Sequence, residues 1–311
     1  MKKIALIFPG QGTQYIGMGK DIYNKYTKAR KIIDSAGSDL SKIIFEGEEK
    51  TLQLTKYAQP AIFTVSVAIF EVFRELFNMH DVEFIAAGHS VGEYSALYAA
   101  GFFNFKDGLD MVRSRGEFIQ KASENNPGTM VAIIGISDVS KIEYICKKVS
   151  YFGICEIANF NSREQIVISG NIEAINKAVE LAKELGALKT IFLNVSGPFH
   201  SSLMSSAAYN MSQKLKKYNF SVPFFGVYTN YDALCTFDRF SIKEKLALQI
   251  KSPVKWSESI NNIINSGFDK FIEIGSGRVL TGLLKKIDRS KKTFNITDSI
   301  SLKKTLEDIN K

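Results

Sequence analysis

Val82-Glu83-Phe84-Ile85-Ala86-Ala87-Gly88-His89-Ser90-Val91-Gly92-Glu93 is a largely apolar run that ends in a serine set between two glycines. Residues 82–87 read as a buried strand and residues 93–100 as a helix, so residues 88–92 occupy a strand-to-helix turn. Gly-x-Ser-x-Gly in that position is a nucleophile elbow. The turn is tight enough that neighbouring side chains would clash, and it lifts a serine Oγ beyond the strand end, where the next backbone N–H can face a developing oxyanion. A strand feeding a helix this way is the unit of a parallel α/β sheet.

The same grammar extends in both directions. Residues 3–8 read as a short buried strand closed by the sharp turn Pro9-Gly10-Gln11-Gly12. Pro60 is expected to open a helix, because Ile62, Val65, Ile69, Val72, Phe73 and Leu76 recur at helical spacing. Residues 271–274 followed by Gly275-Ser276-Gly277 form another strand-to-turn passage. Around Asn125-Asn126-Pro127-Gly128 the texture changes. Residues 129–136 read as a strand and 137–150 as a helix capped by Ser137. Residues 155–159 and 165–169 read as strands joined by the turn-rich Asn161-Ser162-Arg163-Glu164, 171–185 as a helix closed by Gly186, and 188–195 as a last strand. That order, β-α-β-β-α-β, is ferredoxin-like. The expected architecture is α/β: a hydrolase-like parallel-sheet body of residues 1–126 and 197–311, with a ferredoxin-like small subdomain of residues 127–196 inserted into it.

Composition narrows the chemistry. The chain has 311 residues, 45% hydrophobic and 23% charged, the balance of a globular protein. Forty Lys+Arg against 32 Asp+Glu give +8, which favours an anionic partner; the basic residues come as scattered pairs such as Lys285-Lys286, unlike the dense run of a nucleic-acid arm or membrane anchor. A phosphorylated small molecule or an acidic protein fits better than DNA. Three cysteines (Cys146, Cys155, Cys235), an odd number without CxxC spacing, speak against a disulfide framework or a zinc site and fit a reducing cytoplasm. The apolar stretch 4–8 is too short for a secretion signal, and residues 61–70 are interrupted by polar residues well before about 20 positions, the length of a membrane span.

A serine hydroxyl near neutral pH needs a base. His80 lies among polar residues at a helix end. His89 lies inside the elbow, where its ring should point away from the serine. His200, in Val195-Ser196-Gly197-Pro198-Phe199-His200, follows a strand end in a loop, and elimination makes it the candidate base. No Asp or Glu stands out between Ser90 and His200 as a third member, so a dyad whose imidazole is held by a main-chain carbonyl is the working expectation. Gly10-Gln11-Gly12 lacks the Gly-Lys-Ser/Thr of a phosphate loop and the spacing of a dinucleotide fingerprint; a turn there can instead supply a second oxyanion donor. Arg113 and Arg115 point to different faces of one helix, so one of them at most enters a pocket.

Taken together these segments resemble malonyl-CoA:acyl-carrier-protein transacylases, relatives of polyketide synthase acyltransferase domains. The matching stretches are Phe8-Pro9-Gly10-Gln11-Gly12-Thr13-Gln14, residues 88–97, Arg115-Gly116, Ala158-Asn159-Phe160-Asn161-Ser162, residues 165–170, Pro198-Phe199-His200, and Gln249 ahead of Pro253-Val254-Lys255-Trp256. The resemblance implies a ping-pong transfer of malonyl from coenzyme A to the phosphopantetheine thiol of an acidic acyl carrier protein, through an ester on Ser90 with His200 as base. It implies an oxyanion hole from the backbone N–H groups of Gln11 and Val91, and a bidentate clamp on the malonyl carboxylate from Arg115. Gln249 would hold the imidazole through its carbonyl, with Asn159 and Asn161 on the cleft side of the small subdomain. No metal and no resident cofactor are implied; the coenzyme A thioester is a substrate. Val91 replaces a usual leucine, and Phe199 stands where bacterial members often have serine. Phe-His occurs in malonyl-selective polyketide acyltransferases, so a discrete polyketide-type enzyme is the alternative, with a serine thioesterase or hydrolase behind it.

Overall fold

The computed structural model describes residues 2–309; residue 1 and residues 310–311, the ends of the expected body, lie outside the described residues. Along the chain run β1 (Lys2–Phe8), β2 (Val82–Gly88), β3 (Gly128–Ile134), β4 (Cys155–Ser162), β5 (Gln165–Asn171) and β6 (Lys189–Phe192), then β7 (Gly226–Tyr228), β8 (Cys235–Thr236), β9 (Lys270–Ile274) and β10 (Lys292–Ile296). They form two sheets. The first has the order β10-β9-β1-β2-β7-β8, parallel throughout except for the short edge strand β8. The second, β4-β5-β3-β6, is antiparallel throughout and has the ferredoxin-like strand order.

The apolar strands at the centre of the first sheet are buried on both faces, as parallel strands covered by helices must be. The helix Thr55–Leu76 is buried around its whole circumference from Ala58 to Phe73 and forms the axis of the main core. It starts five residues before Pro60, which sits in its second turn instead of opening it. The apolar spacing identifies the helix, but the preceding Thr55-Lys56-Tyr57-Ala58-Gln59 is equally compatible with it, so the proline does not mark the start. Among the described residues no helix is long and apolar enough to cross a membrane.

The second sheet is two-faced. Val131 and Ile133 of β3, with Ile166 and Ile168 of β5, pack under the helices Val139–Lys148 and Ile172–Glu184 in a separate apolar cluster. Met130, Ala132 and Val167, on the opposite face, join the main core. Several local expectations shift. Asp138, not Ser137, caps the helix Val139–Lys148, its carboxylate accepting the Ser140 N–H. β4 continues to Ser162, which leaves a two-residue turn, Arg163-Glu164. β6 ends at Phe192: it pairs only with β3 at the sheet edge and its residues are largely exposed. β7, with three residues, is too short for any pattern to reveal from sequence. The sheets are stitched by backbone: Val254 N–H donates to Ala158 O at 2.8 Å, and Phe160 N–H donates to Val254 O at 2.9 Å.

Candidate active site

Four loops converge at the carboxyl ends of adjacent parallel strands: residues 9–14 after β1, the elbow after β2, Thr229-Asn230 after β7 and residues 275–278 after β9. Open parallel sheets place their sites at that edge. Ser90 has φ of 53°, a left-handed conformation uncommon for a residue with a Cβ. The packing explains its flanking glycines. A Cβ on Gly88 would lie 2.0 Å from the Gly92 backbone, and one on Gly92 would lie 2.2 Å from the Phe8 carbonyl.

Ser90 Oγ lies 2.8 Å from His200 Nε2, and His200 Nδ1 lies 2.8 Å from the Gln249 carbonyl oxygen. A carbonyl can only accept, so the ring carries its proton on Nδ1 and offers the Nε2 lone pair to the serine. His200 is 4% exposed, and burial, followed by the nearby Arg115 charge, holds its pKa down to about 3. The imidazole is therefore neutral at neutral pH, the form a base requires.

Arg115 lies on the helix Phe105–Asn125, on a face shared with the buried Met111 and Ile119, and is 1% exposed. Its guanidinium donates to Ser90 Oγ at 3.2 Å, Gln249 Oε1 at 2.8 Å and Gln59 Oε1 at 2.6 Å, while its Nε has no partner among the described residues. Among the described residues no carboxylate neutralises it by direct contact; its two firm partners are neutral amides, which fix the fork and leave the charge available. Arg113 instead turns outward and donates to the Ala36 carbonyl.

Gln249 has no solvent exposure and serves twice. Its carbonyl holds His200, and its Nε2 donates to Ser90 O at 2.9 Å and to Glu93 Oε2 at 2.6 Å. Burial pushes the Glu93 carboxyl up to about 7, against the hydrogen bonds from Gln249 and Asn230 and the charge of Arg115. Gln11, Val91 and Phe199 border a small enclosed pocket of about 20 Å³ together with Ser90, Arg115 and His200. Gln11 Nε2 reaches Thr55 Oγ1 at 3.3 Å. Val91 caps the helix Gly92–Ala100, whose N-terminal end thus faces the elbow.

The small subdomain closes the other side. Asn159 and Asn161, two residues apart on β4, share the face toward the cleft, where with His89, Ser90, His200 and Phe199 they line a cavity of about 200 Å³. The His89 ring meets Asn161 Oδ1 at 2.9 Å and borders the same cavity as Ser90.

Sequence reasoning missed Asn230. Its Oδ1 accepts the Ser90 N–H at 2.7 Å and its Nδ2 donates to Gly88 O at 2.6 Å, so one amide spans the elbow. The Gln59 side chain and the Glu93 carboxylate were equally unmarked as parts of the site. Asn230 and Gln59 carry no local signature, since each acts through contacts to residues far along the chain, and Glu93, though inside the matching stretch 88–97, is tied to the site only through the distant Gln249 and Asn230.

A sheet of this kind with a serine elbow beside a buried imidazole and a buried guanidinium is compatible with acyl transfer, and the family described as the acyl transferase domain matches residues 5–309. The malonyl CoA-acyl carrier protein transacylase of Bacillus subtilis is 45% identical over 303 residues, 96% of this chain and 94% of the relative. The crystal structure of the Streptococcus pneumoniae enzyme is 40% identical, with a TM-score of 0.91 over 98% of this chain and 99% of the other. A malonyl-transacylase in complex with its type II PKS acyl-carrier protein is 36% identical, with a TM-score of 0.94 over 98% of this chain and 99% of that one. The chain belongs to the malonyl-CoA–acyl carrier protein transacylase family.

Proposed function

We propose that this enzyme moves a malonyl group from coenzyme A to the phosphopantetheine thiol of an acyl carrier protein, supplying extender units for fatty acid synthesis. Ser90 Oγ attacks the thioester carbonyl while His200 Nε2 takes its proton. The oxyanion is met by the N–H groups of Gln11 and Val91, and the C–S bond breaks as His200 returns the proton to the departing coenzyme A thiol. The carrier thiol then gives its proton to His200 and attacks the malonyl ester, and Ser90 leaves with that proton restored. The Gln249 carbonyl keeps the ring in the correct tautomer throughout. Arg115 pairs with the free carboxylate of the malonyl group, and Phe199, bordering the same pocket, narrows the space for an α-substituent. Asn159 and Asn161 form the wall opposite the elbow. Residues 1–126 and 197–311 act as the catalytic body and 127–196 as its cover.

One observation carries this reading: a fully buried arginine that has no carboxylate in contact among the described residues and lies 3.2 Å from the candidate nucleophile. Its chemistry calls for an acyl group that ends in a negative charge. Arg115→Ala should lower kcat/KM for malonyl-CoA about 10²- to 10³-fold, the cost of leaving a carboxylate without its charged partner, while acetyl-CoA transfer is retained or improved. Equal loss for both donors would refute the clamp. The net charge of +8 favours approach of the coenzyme A phosphates and of an acidic carrier. Three unbridged cysteines support a cytoplasmic setting.

Phe199 favours a second reading, service to a polyketide carrier protein, as does the similarity to the transacylase bound to a type II PKS carrier. Comparing kcat/KM for fatty-acid-type and polyketide-type carrier proteins separates the two.

A further inference from the structure

Two thiols unused by the transfer chemistry face each other on the back of the small subdomain. Cys146 lies near the C-terminal end of the helix Val139–Lys148 and is half-buried; Cys155 opens β4 and is buried. Their Sγ atoms are 3.6 Å apart. Cys155 and Ile157 pack into the cluster beneath the helices, whereas Asn159 and Asn161, past a bulge in β4, face the cleft. The intervening chain makes a short 3-10 turn, Ser150–Phe152, whose Tyr151 is 93% exposed, so the pair lies beside a solvated loop. A disulfide holds its sulfurs about 2.05 Å apart. Closure from the observed separation asks for small side-chain rotations with little change in the strand or helix.

We propose that Cys146 and Cys155 are a reactive thiol pair that closes reversibly into an intramolecular disulfide by exchange with a small-molecule disulfide. Cys146, the more exposed thiol, is the entry point. Its thiolate attacks one sulfur of the reagent, forming a mixed disulfide and expelling one thiolate. Cys155 then loses its proton to solvent and attacks Cys146 Sγ, expelling the second. Two protein thiols are oxidised, and one small disulfide is reduced to two thiols. The hydrogen bond with Cys146, together with burial, holds the Cys155 thiol above its ordinary pKa, which suits the resolving role better than first attack. Cys235, exposed on β8 of the other sheet, serves as an internal control.

The test treats the full chain with oxidised glutathione, quenches with acid and maps the cysteines by mass spectrometry without reduction. The expected product is a Cys146–Cys155 crosslink, lighter by two hydrogens and reversed by dithiothreitol, with glutathione retained on Cys235 alone. Cys155→Ser should accumulate glutathione on Cys146, and Cys146→Ser should leave Cys155 modified at least about tenfold more slowly. Glutathione persisting on Cys146 in the unmodified sequence to the same extent as in Cys155→Ser would overturn the proposal. So would modification of Cys235 with both other thiols untouched.

Discussion

Around Ser90 the parallel sheet works through buried polar contacts to the backbone, whereas the antiparallel sheet reaches the cleft through side chains on one bulged strand. On the parallel side, Asn230 bridges Gly88 O and Ser90 N–H, Gln249 bridges His200, Ser90 O and Arg115, and Arg115 itself reaches Ser90 Oγ. On the antiparallel side, Asn161 meets His89, one residue from Ser90, and Asn159 lines the cavity wall. The two histidines sharpen the contrast. His200 is held between a carbonyl and the serine, while His89 is held between Asn161 and the Trp256 ring, 5.6 Å from centroid to centroid. Geometry fixed by main-chain contacts thus belongs to the body, and the small subdomain shapes the space above it.

The contrast can be broken from the body side first. Gly88→Ala places a methyl 2.0 Å from the Gly92 backbone; we expect no soluble folded protein, measured as recovery and circular dichroism. A stable Gly88→Ala enzyme would show that the elbow tolerates expansion. Asn230→Ala should fold, lose about tenfold to a hundredfold in kcat with little change in KM, and melt lower, because the Ser90 N–H and Gly88 O lose their shared partner. Asn161→Ala, its counterpart in the small subdomain, should cost less than about tenfold, and chiefly in KM. A larger kcat loss for Asn161→Ala than for Asn230→Ala would reverse the division of labour.

A separate effect is expected on stability against pH. In the unfolded chain the His200 imidazole gains its proton at the ordinary value near 6.5, but in the folded state burial and Arg115 delay this to about 3. Between those values the unfolded state binds more protons, so this contribution to stability is fully present above about pH 6.5 and is lost as pH falls toward 3. His200→Gln should flatten that part of the stability curve, read from urea midpoints between pH 4 and 7.

Much of this arrangement is legible in the sequence where chemistry and local pattern coincide. The elbow announces itself because a strand, two glycines and a helix must be contiguous to make it. His200 emerges because three histidines leave little choice, and the β-α-β-β-α-β order emerges because each of its elements carries its own periodicity. The remainder is non-local. Asn230 touches Ser90 from 140 positions away, in a polar turn after a three-residue strand that has no alternation to read. Gln59 lies on a helix whose apolar spacing draws attention to its other faces. The pairing of Val254 with β4 depends on how two sheets meet, which no single segment encodes.

The most direct measurement is intact-protein and peptide mass spectrometry seconds after mixing the enzyme with malonyl-CoA in the absence of a carrier protein. One malonyl group per chain is expected, mapped to Ser90, stable until holo carrier protein is added and absent from Ser90→Ala. A malonyl group on any other residue, or undiminished labelling of Ser90→Ala, would contradict it.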